Sequence, residues 1–281
     1  MAKHVKKPDW LKINFRSNDQ FAHVNQIVKE HCLNTICTSG RCPNMAECWS
    51  RGTATFMILG EICTRSCKFC NTQTGRPLSP NADEPEQLAE SIKLMQLKHA
   101  VVTAVTRDDL ADQGATHWAT CISAIKRVNP DTTIEVLIPD FQGKRPLIDQ
   151  IIAEKPSIIA HNIETVKRLT PEVRSAAKYD LSLQVLNYIA DSGIPAKSGF
   201  MLGFGETEAE ILQTMDDLRA VGTSILTVGH YLQPSRQHLP VTAYIHPDKF
   251  AEYKAIGLSK GFRVVESGPL VRSSYHAERH L

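Results

Sequence analysis

The chain of 281 residues has no long apolar run and almost no excess charge of either sign. No uninterrupted apolar stretch approaches the roughly 20 residues a membrane-crossing helix needs. The N-terminus, MAKHVKKPDWLK, is basic but lacks the apolar core of a secretory signal. Formal net charge is only +2, which gives no strong electrostatic case for nucleic acid. There are no internal repeats and no low-complexity tract. A hydrophobic content of 42% with 22% charged residues predicts a globular chain, long enough for one α/β barrel or two smaller domains. The expected location is cytoplasmic, where thiols stay reduced and clustered cysteines read as metal ligands rather than disulfides.

Cysteine is what the sequence does have. Cys63-x3-Cys67-x2-Cys70 lies in CTRSCKFCNT, and Cys37-x4-Cys42-x5-Cys48 lies just upstream. Cys32 precedes Cys37 by the same x4 interval that separates Cys37 from Cys42, so spacing alone leaves Cys32-Cys37-Cys42 open as the first triplet. Cys121 falls on an apolar helix face and reads as core. Three thiolates leave one position of a metal site open, and an open position is where chemistry happens. Structural zinc is the plainer alternative, but its motifs normally total four Cys and His ligands, and no histidine lies among the second triplet.

From Thr53 onward strands and helices alternate. TATFMIL, AVVTAV, TTIEVLIP, SIIAHNIE, PAKSGFMLGF and SILTVGHYL read as six strands, with RVVES a doubtful seventh. Amphipathic helices are expected near Phe21–Glu30 and in EPEQLAESIKLMQLK, GATHWATCISAIKRV, ETEAEILQTMDDLRAVG and PDKFAEYKAIGLSKGF. This alternation implies parallel strands with crossover helices, and reactive loops at the strands' C-terminal ends. The expected fold is α/β, either a partial barrel or a doubly wound sheet.

CxxxCxxC with an aromatic, Phe69, before its last cysteine, directly after the first strand, resembles the radical S-adenosylmethionine superfamily. The resemblance implies that Cys63, Cys67 and Cys70 bind three irons of a [4Fe–4S] cluster and that S-adenosylmethionine chelates the fourth. Its cleavage gives a 5′-deoxyadenosyl radical able to abstract hydrogen from an unactivated C–H bond.

Both triplets, their interval, and the motifs VTRDDL, HNIET, SGFMLGFGET, YLQPSRQHLPV and GPLVRSSYHA together resemble the lipoyl synthase family along nearly the whole chain. The resemblance selects Cys37, Cys42 and Cys48 as ligands of an auxiliary [4Fe–4S] cluster, with a serine of RSSY, at Ser274, as fourth ligand, and leaves Cys32 a non-ligand. It implies insertion of two sulfur atoms, at carbons 6 and 8 of an octanoyl group amide-linked to a lysine, with the auxiliary cluster consumed as sulfur donor. Implied partners are lipoyl carrier domains of 2-oxoacid dehydrogenase complexes, the glycine cleavage H protein, and an electron donor such as ferredoxin or flavodoxin. It also narrows the fold to a partial (β/α)6 TIM-like barrel, 53–261, between an N-terminal extension, 1–52, and a C-terminal segment, 262–281, that together hold the second cluster.

In an extended segment adjacent side chains face opposite ways, so only one of Ser273 and Ser274 is expected as ligand. Arg272 is placed to steady a developing anion. Asn162 and Glu164 of HNIET, two residues apart at a strand end, suit a ribose diol, although a polar helix cap explains them too. Thr106, at the end of another strand, and Gly203, in GFGET, are expected to line the S-adenosylmethionine site. Arg107 can meet a carboxylate, with Asp108 or Asp109 as a helix cap. Lys197 on the PAKSGF strand is costly to bury without a partner. His161, His230 and His276 read as hydrogen-bonded structural residues. Lys3, Lys6, Lys7 and Lys12 read as a solvated tail or a contact for an acidic carrier. A two-cluster electron carrier and a zinc-stabilised binding module are the rival classes.

Overall fold

Runs that are apolar on both faces become strands covered on both sides. The computed structural model describes residues 7–11, 18–31, 33–174 and 176–281. Its strands are β1 (Thr55–Ile58), the two-residue β2 (Ile62–Cys63) and β3 (Gln73–Thr74), β4 (His99–Ala104), β5 (Thr133–Leu137), β6 (Ile158–Ala160), β7 (Ala196–Leu202), β8 (Ile225–His230) and β9 (Val264–Ser267). Seven of them form one sheet, in the order β1-β4-β5-β6-β7-β8-β9, and every pair is parallel. The α/β partial barrel is therefore the fold. RVVES is a full seventh strand, with Ile225 to Val228 in register with Val264 to Ser267. Short and only partly buried, β9 gives a weak periodic signal.

The helices are α1 (Asp19–Glu30), α2 (Ile36–Ser39), α3 (Met45–Ser50), α4 (Glu84–Leu94), α5 (Ala115–Val128), α6 (Arg145–Ala153), α7 (Thr170–Val173), α8 (Tyr179–Asp191), α9 (Glu208–Ala220) and α10 (Pro247–Ser259). Trp118, Cys121, Ile122 and Ile125 lie on the buried face of α5, so Cys121 is core as expected. GFGET ends in a capping box: Thr207 and Glu210 satisfy each other's backbone N–H groups at the start of α9. Among the described residues no helix is long and apolar enough to cross a membrane. Cys32, Lys3, Lys6 and Lys12 lie outside the described residues.

Candidate active site

The strand β1 delivers the chain into the second triplet through a tight turn. Leu59 and Gly60 both have positive φ, 67° and 94°. Glu84 Oε2 accepts from the Leu59 N–H at 2.8 Å, and Arg107 Nη1 donates to the Leu59 carbonyl at 3.3 Å. A residue as bulky as leucine in the left-handed region is strained, and these two buried side chains hold it there. Cys63 then closes β2, and its sulfur accepts from two backbone N–H groups, Arg65 at 3.4 Å and Thr106 at 3.3 Å.

Arg65, inside CTRSC, anchors the loop. Its guanidinium makes paired bonds to Asp108 (2.7 and 3.0 Å) and to Asp140 (2.8 and 2.7 Å). Burial would raise the Asp140 carboxyl, but the Arg65 bonds hold it down, to about 2 from 3.8. A lowered carboxylate pKa adds stability above its unfolded value, so this group's share, roughly 2 kcal/mol, is present above about pH 4 and lost as pH falls toward 2. Arg65→Met leaves two buried or half-buried carboxylates without their cation. We expect a loss of roughly 3–5 kcal/mol at neutral pH, read from urea unfolding, that shrinks at acid pH; a loss below about 1 kcal/mol contradicts this role. The neighbouring Arg107 pairs with Asp109 at 2.9 Å, so VTRDDL supplies two ion pairs and not a helix cap.

Lys68 and Cys70 are held by a segment far along the chain. His238 of the RQHLPV motif meets the Cys70 carbonyl through Nε2 at 3.0 Å, while its Nδ1 meets Ser235 Oγ at 2.8 Å. Leu239 N–H donates to the Lys68 carbonyl.

The first triplet spans two short helices. Cys37 lies in α2, Cys42 in the turn after it and Cys48 in α3. The C-terminal segment packs against them. Asn44 Nδ2 donates to the Leu270 carbonyl at 2.7 Å, Tyr275 OH donates to Glu47 at 3.1 Å, and Arg51 bonds His276 Nδ1 at 2.9 Å and Glu278 at 2.8 Å. Thr55 joins the two partners. Its hydroxyl donates to Ser274 Oγ at 2.7 Å, and its backbone N–H reaches the Cys37 sulfur. Ser273 instead accepts from Asn162 Nδ2 at 2.6 Å. Residues 273–276 form turns, not the extended segment expected. The two serines still face different partners, because the turn rotates successive side chains apart.

Each triplet fits a cluster by the chemistry of its donors. Burial raises the Cys37, Cys42 and Cys48 thiols, Cys37 to about 11 and Cys48 to about 12, and neighbouring thiols add to the rise at Cys37 and Cys48. Burial likewise raises Cys67, to about 12, and Cys70, with the other cysteines of their triplet adding to it. Such buried, crowded thiols give up their protons only to multivalent cations. Among the described residues no three His, Cys, Asp or Glu side chains converge as ligands of one ion do. Thiolates that each bind a separate corner iron need no such convergence.

Cys37, Cys42, Cys63, Cys67, Cys70 and Ser274 all line one cavity of about 530 Å³. Thr106, Asn162, Glu164 and Arg272 line it as well. Arg272 lies within electrostatic reach of both Cys42 and Glu164. Asn162 and Glu164 do come together, but not by strand alternation: β6 stops at Ala160 and Glu164 has φ 66°. The Glu164 backbone instead bridges to the β7 edge, accepting from Met201 N–H and donating to the Gly199 carbonyl. Burial pushes the Glu164 carboxyl up, opposed by Arg174, Asn162 and Arg272. Gly203 does not reach the cavity lining. Its N–H and that of Phe204 are taken by Glu206, at 2.5 and 2.9 Å, and Phe200 and Met201 of the same motif line the cavity instead.

His161 bonds the Ile138 carbonyl and Ser182, and His230 donates from Nδ1 to the Tyr231 carbonyl and accepts at Nε2 from the Ile245 N–H, as structural histidines do. Lys7 lies at the cavity lining. Arg65 with its two aspartates, Arg174, Thr55 and His238 were not read from the sequence as site residues. The arginine between the first two cysteines was the one local signal for any of them.

Residues 57–218 match the family model of the Radical SAM superfamily. The chain is 64% identical over 279 residues to the lipoyl synthase of Bacteroides fragilis, covering 99% of this chain and 97% of that protein. The lipoyl synthase of Parabacteroides distasonis is 62% identical over 281 residues and all of both chains. The chain belongs to the lipoyl synthase family. Among lipoyl synthases at this identity, that of Treponema denticola is 57% identical over all of this chain and 97% of its own length. Among solved structures, S-adenosylmethionine-bound Streptococcus suis SuiB superposes with a TM-score of 0.62 at 11% identity, over 81% of this chain and 55% of that one. Methylornithine synthase, PylB, gives 0.57 at 12% identity, over 87% and 82%. These two likenesses concern the fold alone. The superfamily match covers the second triplet and implies one [4Fe–4S] cluster and S-adenosylmethionine; the first triplet and the RSSY motif lie outside it.

Proposed function

We propose that this chain is a radical S-adenosylmethionine sulfurtransferase that converts a protein-bound octanoyl group to the lipoyl cofactor. The single observation that carries the reading is the shared cavity, which five of the six triplet cysteines and Ser274 all line. Cys63, Cys67 and Cys70 would hold the cluster that binds S-adenosylmethionine. Cys37, Cys42, Cys48 and Ser274 would hold the auxiliary cluster, with the barrel, whose sheet runs past 261 to take in β9, placed between the 1–52 extension and the RSSY segment that follows β9. When bound, these groups supply a 5′-deoxyadenosyl radical and, from the auxiliary cluster, sulfur for carbons 6 and 8.

The chain's own residues do the positioning. The N–H groups of Arg65 and Thr106 donate to the Cys63 sulfur and hold it in place. Asn162 and Glu164 offer an amide and a carboxylate to the ribose hydroxyls. Arg272 places positive charge between the two sites. The cavity walls include Met57, Val101, Leu137, Phe200 and Val271, an apolar lining that suits an alkyl chain and keeps water from a reactive carbon. A serine ligand suits opening of the auxiliary cluster, because an alkoxide is far more basic than a thiolate.

The substrate is a protein-bound octanoyl group and the reaction needs a reductant. The carrier is a lipoyl domain of a 2-oxoacid dehydrogenase complex or the glycine cleavage H protein. The reductant is ferredoxin or flavodoxin, and the compartment is the cytoplasm. An electron carrier with two clusters would need neither the cavity nor the Asn162 and Glu164 pair. Anaerobic turnover with an octanoylated carrier peptide is expected to give the dithiolated peptide by mass. S-adenosylmethionine cleavage with no sulfur gained by the peptide would overturn the assignment.

A further inference from the structure

The barrel interior holds charge that radical chemistry does not use. Lys197, the second residue of β7, has no exposed surface. Its Nζ lies 2.5 Å from Glu135 Oε1 on β5. It also lies 3.1 Å from Nδ1 of His280, the penultimate residue of the chain. Glu135 and His280 are themselves fully buried, and His99 Nε2 is 3.9 Å from the other Glu135 oxygen. Burying an ammonium–carboxylate pair costs more than its attraction returns unless further hydrogen bonds complete it. Such a pair is weak support for stability alone, since apolar residues of similar size often serve as well.

What this pair holds is the tail. Lysine only donates, so His280 must accept through Nδ1 and is the neutral tautomer with its proton on Nε2. Burial, with Lys197 adding to it, pushes the ring's pKa down to about 3. Arg263 Nη2 grips the His280 carbonyl at 2.7 Å. Upstream, the tail lies flat on β8: a Cβ at Gly229 would come within 2.2 Å of the Val271 carbonyl oxygen. Between these fixed points residues 273–276 form turns, and Ala277–Arg279 adds a short 3-10 turn. Little slack remains, and Ser274 sits inside that span.

We propose that the buried Glu135–Lys197–His280 chain is a tail anchor that sets the position of Ser274 beside the first cysteine triplet. Glu135 also lines the shared cavity, whereas Lys197 and His280 do not, and among the described residues no hydrogen bond joins any of the three to a cluster ligand, so they are positioning residues. The anchor acts beside the Arg51 and Tyr275 contacts, which hold residues 275–278 to the first triplet's helices. It keeps the serine hydroxyl in place whether or not its oxygen is bound to iron. The inference rests on reading Ser274 as a ligand of the auxiliary cluster.

The test compares His280→Leu with His280→Asn in the full chain, reconstituted anaerobically with iron and sulfide. Asparagine can place an amide oxygen near the Nδ1 position, whereas leucine fills the space without an acceptor. His280→Leu is expected to keep S-adenosylmethionine cleavage within about twofold. Its iron content should fall from about eight toward about four per chain, with loss of the auxiliary cluster's Mössbauer signature. Product formation should fall at least roughly tenfold, and His280→Asn should restore both iron and product. Full iron and product in His280→Leu, or an asparagine variant as impaired as the leucine one, overturns the anchor. Wild-type protein with only about four irons, or Ser274→Ala with unchanged product, instead overturns the reading on which it rests.

Discussion

Ser274→Ala is expected to lower product formation by roughly 100-fold or more while S-adenosylmethionine cleavage stays measurable. The hydroxyl lies 2.7 Å from Thr55 Oγ1, and Thr55 also hydrogen-bonds the Cys37 sulfur, so the serine sits at the first triplet. Ser273→Ala is the matched control. Its hydroxyl meets Asn162, and its loss strands one buried amide donor, a cost of about 1–3 kcal/mol. That cost falls on binding near the ribose-facing pair, so the Ser273 variant should bind S-adenosylmethionine more weakly but still form product at saturation. Equal loss of product in both variants would undo the assignment of Ser274. Quantifying 5′-deoxyadenosine and dithiolated peptide in the same reactions separates the outcomes.

The second large effect distinguishes the triplets. Cys67→Ala should abolish S-adenosylmethionine cleavage altogether, because an iron that loses its thiolate no longer belongs to an intact cluster. Cys42→Ala should retain cleavage and lose product. Each variant should hold about four irons against about eight in the unaltered chain. Cys42 lies beside Arg272 and lines the cavity, whereas Cys48 lies behind the lining in α3, yet the Cys48 variant should match Cys42→Ala. If cleavage vanished equally in Cys42→Ala and Cys67→Ala, the two triplets would not be separate sites.

Much of this arrangement was legible in the chain. Buried strands such as TATFMIL and crossover helices such as α5 follow from periodicity, and the triplets follow from spacing. What escaped was set by contacts between distant segments. Arg65 meets Asp108 and Asp140, 43 and 75 residues away, and no local pattern ties them. The helix α6 went unread because it opens after a 3-10 turn at Phe141–Gly143 with Gln142 at positive φ, which blurs its start. Asn162 and Glu164 share the cavity by a left-handed turn, where a strand was expected. Gly203 was drawn to the cavity by its motif, yet Glu206 satisfies its N–H inside the same turn. Lys197 was recognisable as costly, but its partners come from β5 and the chain's last residues.

The most direct measurement follows sulfur itself. The chain is reconstituted anaerobically with isotopically heavy sulfide, freed of excess, and allowed one turnover on an octanoylated carrier peptide. The account predicts a lipoyl product in which both sulfur atoms are heavy, with the auxiliary cluster lost in step. A product that gains light sulfur, or a peptide that gains none while S-adenosylmethionine is cleaved, would contradict it.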